Sequence, residues 1–214
     1  MILMSMLVAI TIVPVGASYL GGFSKAPEAE DTSDHGLIHG LLGAVAAAVL
    51  EKSTWAVLAL ILEIELFTQE HYKQSIEPEE NLSDLYKDVF LFHWKEETTH
   101  AIMDELEWPR ENKKLTPAQR DQAIDEVIEL VAAVDGILQA QCAADVGYFL
   151  KICKGSFKED EIARIKAGVL KAYRWQYIFS GVEHPRFQKL FIDLTTEDQR
   201  QRINAALAPL NGNH

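Results

Sequence analysis

Two carboxylates and a histidine in the middle of the chain have the residue types and the spacing that bind a divalent transition metal. Glu97 and His100 are three residues apart, so in a helix their side chains project from one turn toward a common point. Glu65 lies before a turn at residues 77–81, and an antiparallel hairpin would bring Glu65 and Glu97 to a similar height. Two inward carboxylates at one level repel each other unless a cation lies between them. The pattern therefore predicts a metal site.

Two more residues are weaker candidates for the same site. Asp145 interrupts the apolar seam of a third helix, and His184 lies at the end of a fourth. Asp135 interrupts the same seam next to Gly136 and is the alternative ligand from the third helix. Either aspartate could instead bond to a Tyr, Arg or Trp across the core. For Asp145, pairing with Arg174 would be the metal-free explanation.

Three other polar residues have different expected roles. His93 lies one turn before Glu97, so it is expected to be an additional ligand or a hydrogen-bond partner of a ligand. Glu63 and Glu70 lie together on another face of their helix, near Lys73. A solvent-exposed charge stripe suits that face best.

These residues are expected on four long helices. Capping signals and apolar periodicity predict helices at about residues 54–75, 83–108, 117–154 and 157–184, with Pro109 ending the second. A short terminal helix from about 197 and an N-terminal helix at 35–51 are also expected. The seam of the first long helix is Leu58, Leu62, Glu65, Gln69, Tyr72 and Ile76, and that of the second is Tyr86, Phe90, His93, Glu97, His100 and Asp104. No hairpin signal lies between alternating apolar runs, so the fold class is all-α.

The N-terminal 35 residues are expected to be separate from a helical domain of residues 36–214, whose bundle core spans about 53–185. The first 24 residues have no charged side chain, but Pro14 and three glycines interrupt their apolar pattern. A secretory signal, a membrane anchor, a segment packed on the domain and a misplaced start codon all stay open. A cytoplasmic location is expected, with secretion or anchoring as the alternative.

Composition excludes several classes of protein. The 214 residues carry 20 basic and 32 acidic side chains, a formal charge of −12, and 48% are hydrophobic. One folded domain is expected, disorder is disfavoured, and such a surface repels nucleic acid. The only two cysteines, Cys142 and Cys153, cannot form a disulfide scaffold. Phosphate-binding loops, nucleophile elbows and zinc-protease motifs are absent from the sequence.

On the basis of these candidate ligands, the chain resembles the ferritin-like di-iron carboxylate superfamily. In that family, four-helix bundles hold two metals with a Glu from each of two helices and a Glu-x-x-His from each of the other two. Glu65 matches the lone Glu of the first helix, and Glu97 with His100 matches the first Glu-x-x-His. Asp145 and His184 stand where the third and fourth helices supply ligands. The resemblance implies a ferritin-like bundle over about 53–185.

The chain departs from the family pattern in two places. The fourth helix has Glu183 and His184 side by side instead of a Glu-x-x-His. Only residues 108–115 separate the second and third helices, so the segment 117–133 would have to form part of the family's long crossover, with a break at Gly136. A heme-oxygenase-like bundle and a plain up-down bundle are the competing architectures.

The resemblance implies a non-heme iron protein, an oxidase or oxygenase that acts on a small organic substrate. Its cofactor would be one or two iron ions, with manganese as the alternative metal. The competing hypothesis is a metal-free helical bundle that acts as an interaction or stress-response protein. A small-molecule substrate and no nucleic-acid partner are expected, whereas a homodimer and membrane association both stay open.

Overall fold

The fold is described for residues 49–153 and 155–211 of a computed structural model. The apolar N-terminal segment and nearly all of the helix expected at 35–51 lie outside these residues. Within the two described ranges the protein is all-α, without a strand, as the sequence predicts. The helices are α1 Thr54–His71, α2 Asp84–Asn112, α3 Pro117–Ile152, α4 Glu159–Arg174, α5 Ser180–Val182, α6 Pro185–Leu194 and α7 Glu197–Leu207. Single π-helical turns, Tyr72–Ile76 and Trp175–Phe179, extend α1 and α4, and a 3₁₀ turn, Ala208–Leu210, follows α7.

Four of the predicted helix starts are confirmed by their capping hydrogen bonds, and one of them is the Thr196–Gln199 capping box at the start of α7. The Ser53 and Ser83 hydroxyls each accept a backbone N–H from the first turn of α1 and α2. Thr116 forms the expected reciprocal capping box with Gln119 at the start of α3. The predicted start of α4 at about residue 157 was slightly too early, because the helix begins at Glu159, and the N-cap is Lys158, whose backbone N–H donates to Glu161. These caps satisfy N–H groups that have no partner within the helix.

Pro109 does not end α2, which continues to Asn112. Proline removes one backbone hydrogen bond from the helix, but the residues on either side are held by tertiary contacts. Trp108 is fully buried between Trp55 and Phe187, with ring centroids 5.0 and 5.5 Å away. Asn112 accepts hydrogen bonds from Trp55 Nε1 and from the guanidinium of Arg120. This packing keeps the last turn helical.

Helix α6 was not predicted from the sequence. It begins with Pro185 at its first position, and the N-cap is His184, whose Nδ1 accepts the backbone N–H of Arg186. Histidine is an uncommon cap, so the start signal was not recognised. The apolar face of α6 places Phe187 and Phe191 in the main core.

Helix α1 is the central element of the fold. It packs against α2, α3, α5 and the π-helical turn after α4. All six seam residues predicted for it are buried, and so are most of the residues on its other faces. Helix α2 packs mainly on α1, and α4 packs mainly on α3 without a single fully buried side chain.

Helix α3 runs through Gly136 without a break, so residues 117–133 do not form a separate crossover segment. Among the described helices, α3 is the one long and apolar enough to cross a membrane, with a mean hydropathy of 1.5 over its most apolar window. Only 28% of that window is buried. Core helices of proteins outside membranes meet the same criterion, so the feature is weak evidence for a membrane location.

Gly181 allows α5 to lie directly against α1. A Cβ atom at this position would be 2.4 Å from the Glu63 backbone oxygen and 2.5 Å from Glu63 Oε1.

We expect Gly181→Ala to lower the free energy of unfolding by about 1–3 kcal/mol, because the two backbones would have to separate. Urea denaturation measures the change. Gly168→Ala, on the exposed surface of α4 with no atom within 4 Å of the new Cβ, should instead raise stability by up to about 1 kcal/mol. Equal effects of the two substitutions would contradict the close approach.

Candidate metal centre

The α1–α2 hairpin brings Glu65, Glu97 and His100 together. Each of the three offers one ligand atom, and these atoms all lie within 4.8 Å of one another. His100 Nδ1 is 2.9 Å from Glu97 Oε2 and 3.8 Å from Glu65 Oε1. Both carboxylates are buried, with 4% of Glu65 and 2% of Glu97 exposed. The arrangement follows from the two seams, which place Glu65 and Glu97 at the same height of an antiparallel pair.

The environment of Glu65 favours its protonated form. Burial raises the pKa of Glu65 to about 10, and a hydrogen bond with Glu97 and its negative charge add to the effect. Without a cation, Glu65 therefore keeps its proton at neutral pH. Its other oxygen, Oε2, is buried and has no hydrogen-bond partner. Burial also raises the pKa of nearby Asp104 to about 6, although the charge of His100 opposes this increase.

A second group of potential ligands shares Glu97. His93 Nδ1 lies 3.2 Å from Glu97 Oε1 and 3.9 Å from Glu96 Oε2. Each oxygen of the Glu97 carboxylate thus faces a different histidine, His93 on one side and His100 on the other. Sequence reasoning expected His93 here but missed Glu96. The signal for Glu96 was its i, i+3 spacing from His93 on the same helix.

The structure does not bring Asp145 and His184 to this cluster. Neither belongs to the groups of three or more potential ligands found among the described residues. Asp145 accepts hydrogen bonds from the hydroxyl of Tyr173 at 2.5 Å and from the amide of Gln141. His184 caps α6, and its Nε2 is 3.5 Å from Glu70 Oε1. Both side chains therefore have structural partners elsewhere.

Asp135, the alternative residue on α3, is neutralised by a guanidinium. Arg174 contacts both carboxylate oxygens, with Nε to Oδ1 at 2.7 Å and an Nη2 to Oδ2 distance of 3.0 Å. Gln139 donates a further hydrogen bond at 2.6 Å. Both aspartates of the α3 seam thus follow the alternative in which they bond to side chains across the core.

Glu63 is buried, so its assignment to a solvent-exposed charge stripe was wrong. Helix α5 covers the carboxyl group through Gly181, and α3 lies across an apolar cavity that Glu63 also lines. Its Oε1 atom has no hydrogen-bond partner, and burial raises the pKa well above the usual value. The small side chains of Ala56 and Ala59 on this side of α1 were the sequence signal for a second packed face. The rest of the expected stripe is better supported, since Lys73 forms an exposed ion pair with Glu77.

The buried Glu63 carboxyl predicts a pH dependence of the metal-free protein. The folded chain retains the Glu63 proton above pH 4.5, the usual pKa, whereas the unfolded chain releases it there. The unfolded state then binds fewer protons, so the free energy of unfolding falls as pH rises, by at most about 1.4 kcal/mol per pH unit for one such group. Glu65, with its pKa of about 10, has the same sign.

Because glutamine cannot ionise, we expect Glu63→Gln to lose less stability than the wild type between about pH 5 and about pH 8. Urea unfolding in the presence of a chelator at both pH values measures the difference. Equal losses in the two proteins would show that Glu63 does not hold its proton in the folded state.

Scans against protein-family models, curated protein sequences and solved structures give no match to this chain. The function is therefore argued from the geometry of the site.

Proposed function

We propose that this chain is a non-heme iron protein of ferritin-like type, an oxidase or oxygenase acting on a small organic substrate. One observation carries the proposal. The carboxyl groups of Glu65 and Glu97 lie close together in the protein interior, and His100 lies beside both. Two neighbouring buried carboxyl groups cannot both ionise unless a cation compensates their negative charges. A divalent metal would remove the repulsion and give the buried Glu65 Oε2 atom a partner.

The donor set fits iron or manganese better than zinc or calcium. Two carboxylates and one imidazole suit Fe(II) or Mn(II), whereas structural zinc sites are richer in cysteine and histidine, and calcium sites use oxygen ligands alone. When bound, iron would supply the change between Fe(II) and Fe(III) and open coordination positions for dioxygen. We propose Glu65, Glu97 and His100 as ligands, and the position of His93 allows a second ion that shares Glu97.

The surrounding residues support a reactive site that is shielded on one side. Leu62 and Ala101, one turn from Glu65 and Glu97 on the same helices, are fully buried and exclude water from the inner side. His93 and His100 are 24% and 32% exposed at the opposite edge. Ions and small molecules can therefore reach the imidazoles without opening the core.

Metal analysis tests the proposal directly. Protein loaded anaerobically with Fe(II) and then desalted should contain one to two irons per chain, as measured by mass spectrometry of the metal. The loaded protein should consume dioxygen in an oxygen electrode faster than the same amount of free Fe(II). Protein that retains no iron after desalting would contradict the proposal and favour the metal-free bundle.

A further inference from the structure

One face of α2 is covered by large apolar side chains that are exposed to solvent. Half of the exposed large apolar side chains among the described residues lie on this single helix. We call this face the α2 stripe, and each of its side chains is at least 47% exposed. Its members are Leu85, Val89, Phe92, Ile102, Met103 and Leu106. The stripe consists of two exposed apolar groups, one toward each end of α2, separated by the exposed Lys95, Glu96 and Thr99. Exposed apolar groups of this size indicate a contact surface.

The α2 stripe borders the open edge of the metal centre. Viewed along the axis of α2, successive side chains are rotated by about 100°. Glu97 faces α1, and the His93 and His100 side chains are rotated roughly 40° and 60° away from it, both toward the same side. The stripe begins about 80° to the same side, at Val89. A partner docked on the stripe would therefore lie beside the two partly exposed histidines, on the Val89 side, and narrow the open edge there.

The order of residues along the stripe fits a second copy of the same chain. Leu85 and Leu106 are equally far from the midpoint between Lys95 and Glu96, and so are Val89 and Ile102. In an antiparallel pair of α2 helices, Leu85 would therefore lie at the height of Leu106 in the other copy and Val89 at the height of Ile102, whereas Phe92 and Met103 would lie at the heights of Thr99 and Asp88. A surface that matches itself in this way is what a two-fold symmetric interface requires.

Charge at the centre of the stripe supports the same register. Lys95 and Glu96 are both exposed and adjacent, one on each side of the midpoint. In the antiparallel pair, Lys95 would face Glu96 of the second copy, and the symmetry makes this contact twice. Opposite charges in register favour this pairing over a parallel one, in which like charges would lie opposite each other.

We propose that a second copy of this chain docks antiparallel on the α2 stripe and narrows the open edge of the metal centre. The docking itself is argued from the surface of α2 alone, whereas its role in narrowing that edge rests on the proposed function. The second copy would lie beside the histidines and so limit access to the iron from the Val89 side.

Sedimentation equilibrium of the full chain tests the docking. The wild type should have twice the 24.0 kDa chain mass. Phe92→Glu should raise the dissociation constant of the dimer at least about a hundredfold, because a charge would be buried in the stripe. Ile192→Glu, at an exposed apolar position on α6, is the matched control and should leave the dimer intact. Circular dichroism would verify that both variants remain helical.

A charge exchange tests the identity of the partner and its register. Lys95→Glu should weaken the dimer about tenfold, since it places two glutamates opposite each other. Lys95→Glu combined with Glu96→Lys should restore the dimer to within about threefold, because a self-pairing antiparallel contact is the arrangement in which both changes compensate.

Iron content measured on the same samples separates the two proposals. If the protein is a monomer that holds iron, the proposed docking is contradicted and the proposed metal centre is supported. If the protein is a dimer that Phe92→Glu disrupts but holds no iron, the docking is supported and the proposed function is contradicted. A dimer that is insensitive to Phe92→Glu and to the charge exchange would overturn the docking on the α2 stripe.

Discussion

Glu97→Gln is expected to abolish stable iron binding, with a loss of affinity greater than the 10- to 100-fold that follows removal of a ligand's hydrogen-bond partner. The Glu97 carboxylate lies between His93 and His100 and also contacts Glu65, so each potential ligand group includes it. Glutamine has nearly the same shape but lacks the negative charge that a divalent metal requires. Iron content after desalting and competition with a chelator measure the effect.

Glu63→Gln is the matched control for this substitution. Glu63 is also a buried glutamate of the α1–α2 region, and its carboxyl group is outside both ligand groups. Because Glu63 is protonated in the folded chain, glutamine replaces it with little change in charge. We expect Glu63→Gln to retain the iron content of the wild type. Equal iron content in the Glu97 and Glu63 variants would refute the ligand assignment.

Asp135→Ala is expected to lower the free energy of unfolding by about 3–5 kcal/mol. Asp135 is buried, and the Arg174 side chain, only 18% exposed, contacts both of its oxygens. Removing the carboxylate leaves the guanidinium without its counter-charge in a mostly apolar region, where Val131 and Val134 are also packed. Urea denaturation at neutral pH measures the loss.

A double variant separates the loss of the charge pair from the loss of packing. Asp135→Ala combined with Arg174→Met removes both charges and should recover much of the stability lost in the single variant. If Asp135 is purely structural, the folded single variant should also keep the iron content of the wild type. Loss of iron without loss of stability would instead assign Asp135 to the metal centre.

The part of the site on α1 and α2 could be predicted from the sequence because the helical repeat determines both the secondary structure and which side chains of these two helices are buried. The six seam residues of α1 are buried, and Glu65 is among them. Once the seams of two sequential helices are known, an antiparallel hairpin determines which of their residues lie at the same height. The proximity of Glu65, Glu97 and His100 needs no further information.

The partners of Asp135 and Asp145 could not be predicted in this way, because a single polar side chain on α3 can bond to several different neighbours. The contact of Arg174 with Asp135 and that of Tyr173 with Asp145 depend on the register between α3 and α4. Ala56 and Ala59 indicate a second packed face of α1, but no local pattern indicates that α5 covers Glu63 there through Gly181. Sequence periodicity therefore predicts which face of a helix is buried, but it does not specify which neighbour covers that face.

The absence of any fully buried side chain on α4 has a consequence for the order in which the molecule loosens. Local opening costs least where few apolar groups leave the core, so the first turns of α4, which precede the bonds of Tyr173 and Arg174 to α3, should detach in transient fluctuations while α1 remains packed. Such excursions would expose the adjoining stretch of α3 to proteases and solvent deuterium, yet the backbone around Glu65 and Glu97 would keep its slow exchange. Among the described residues, the candidate ligands therefore lie apart from this easily opened segment.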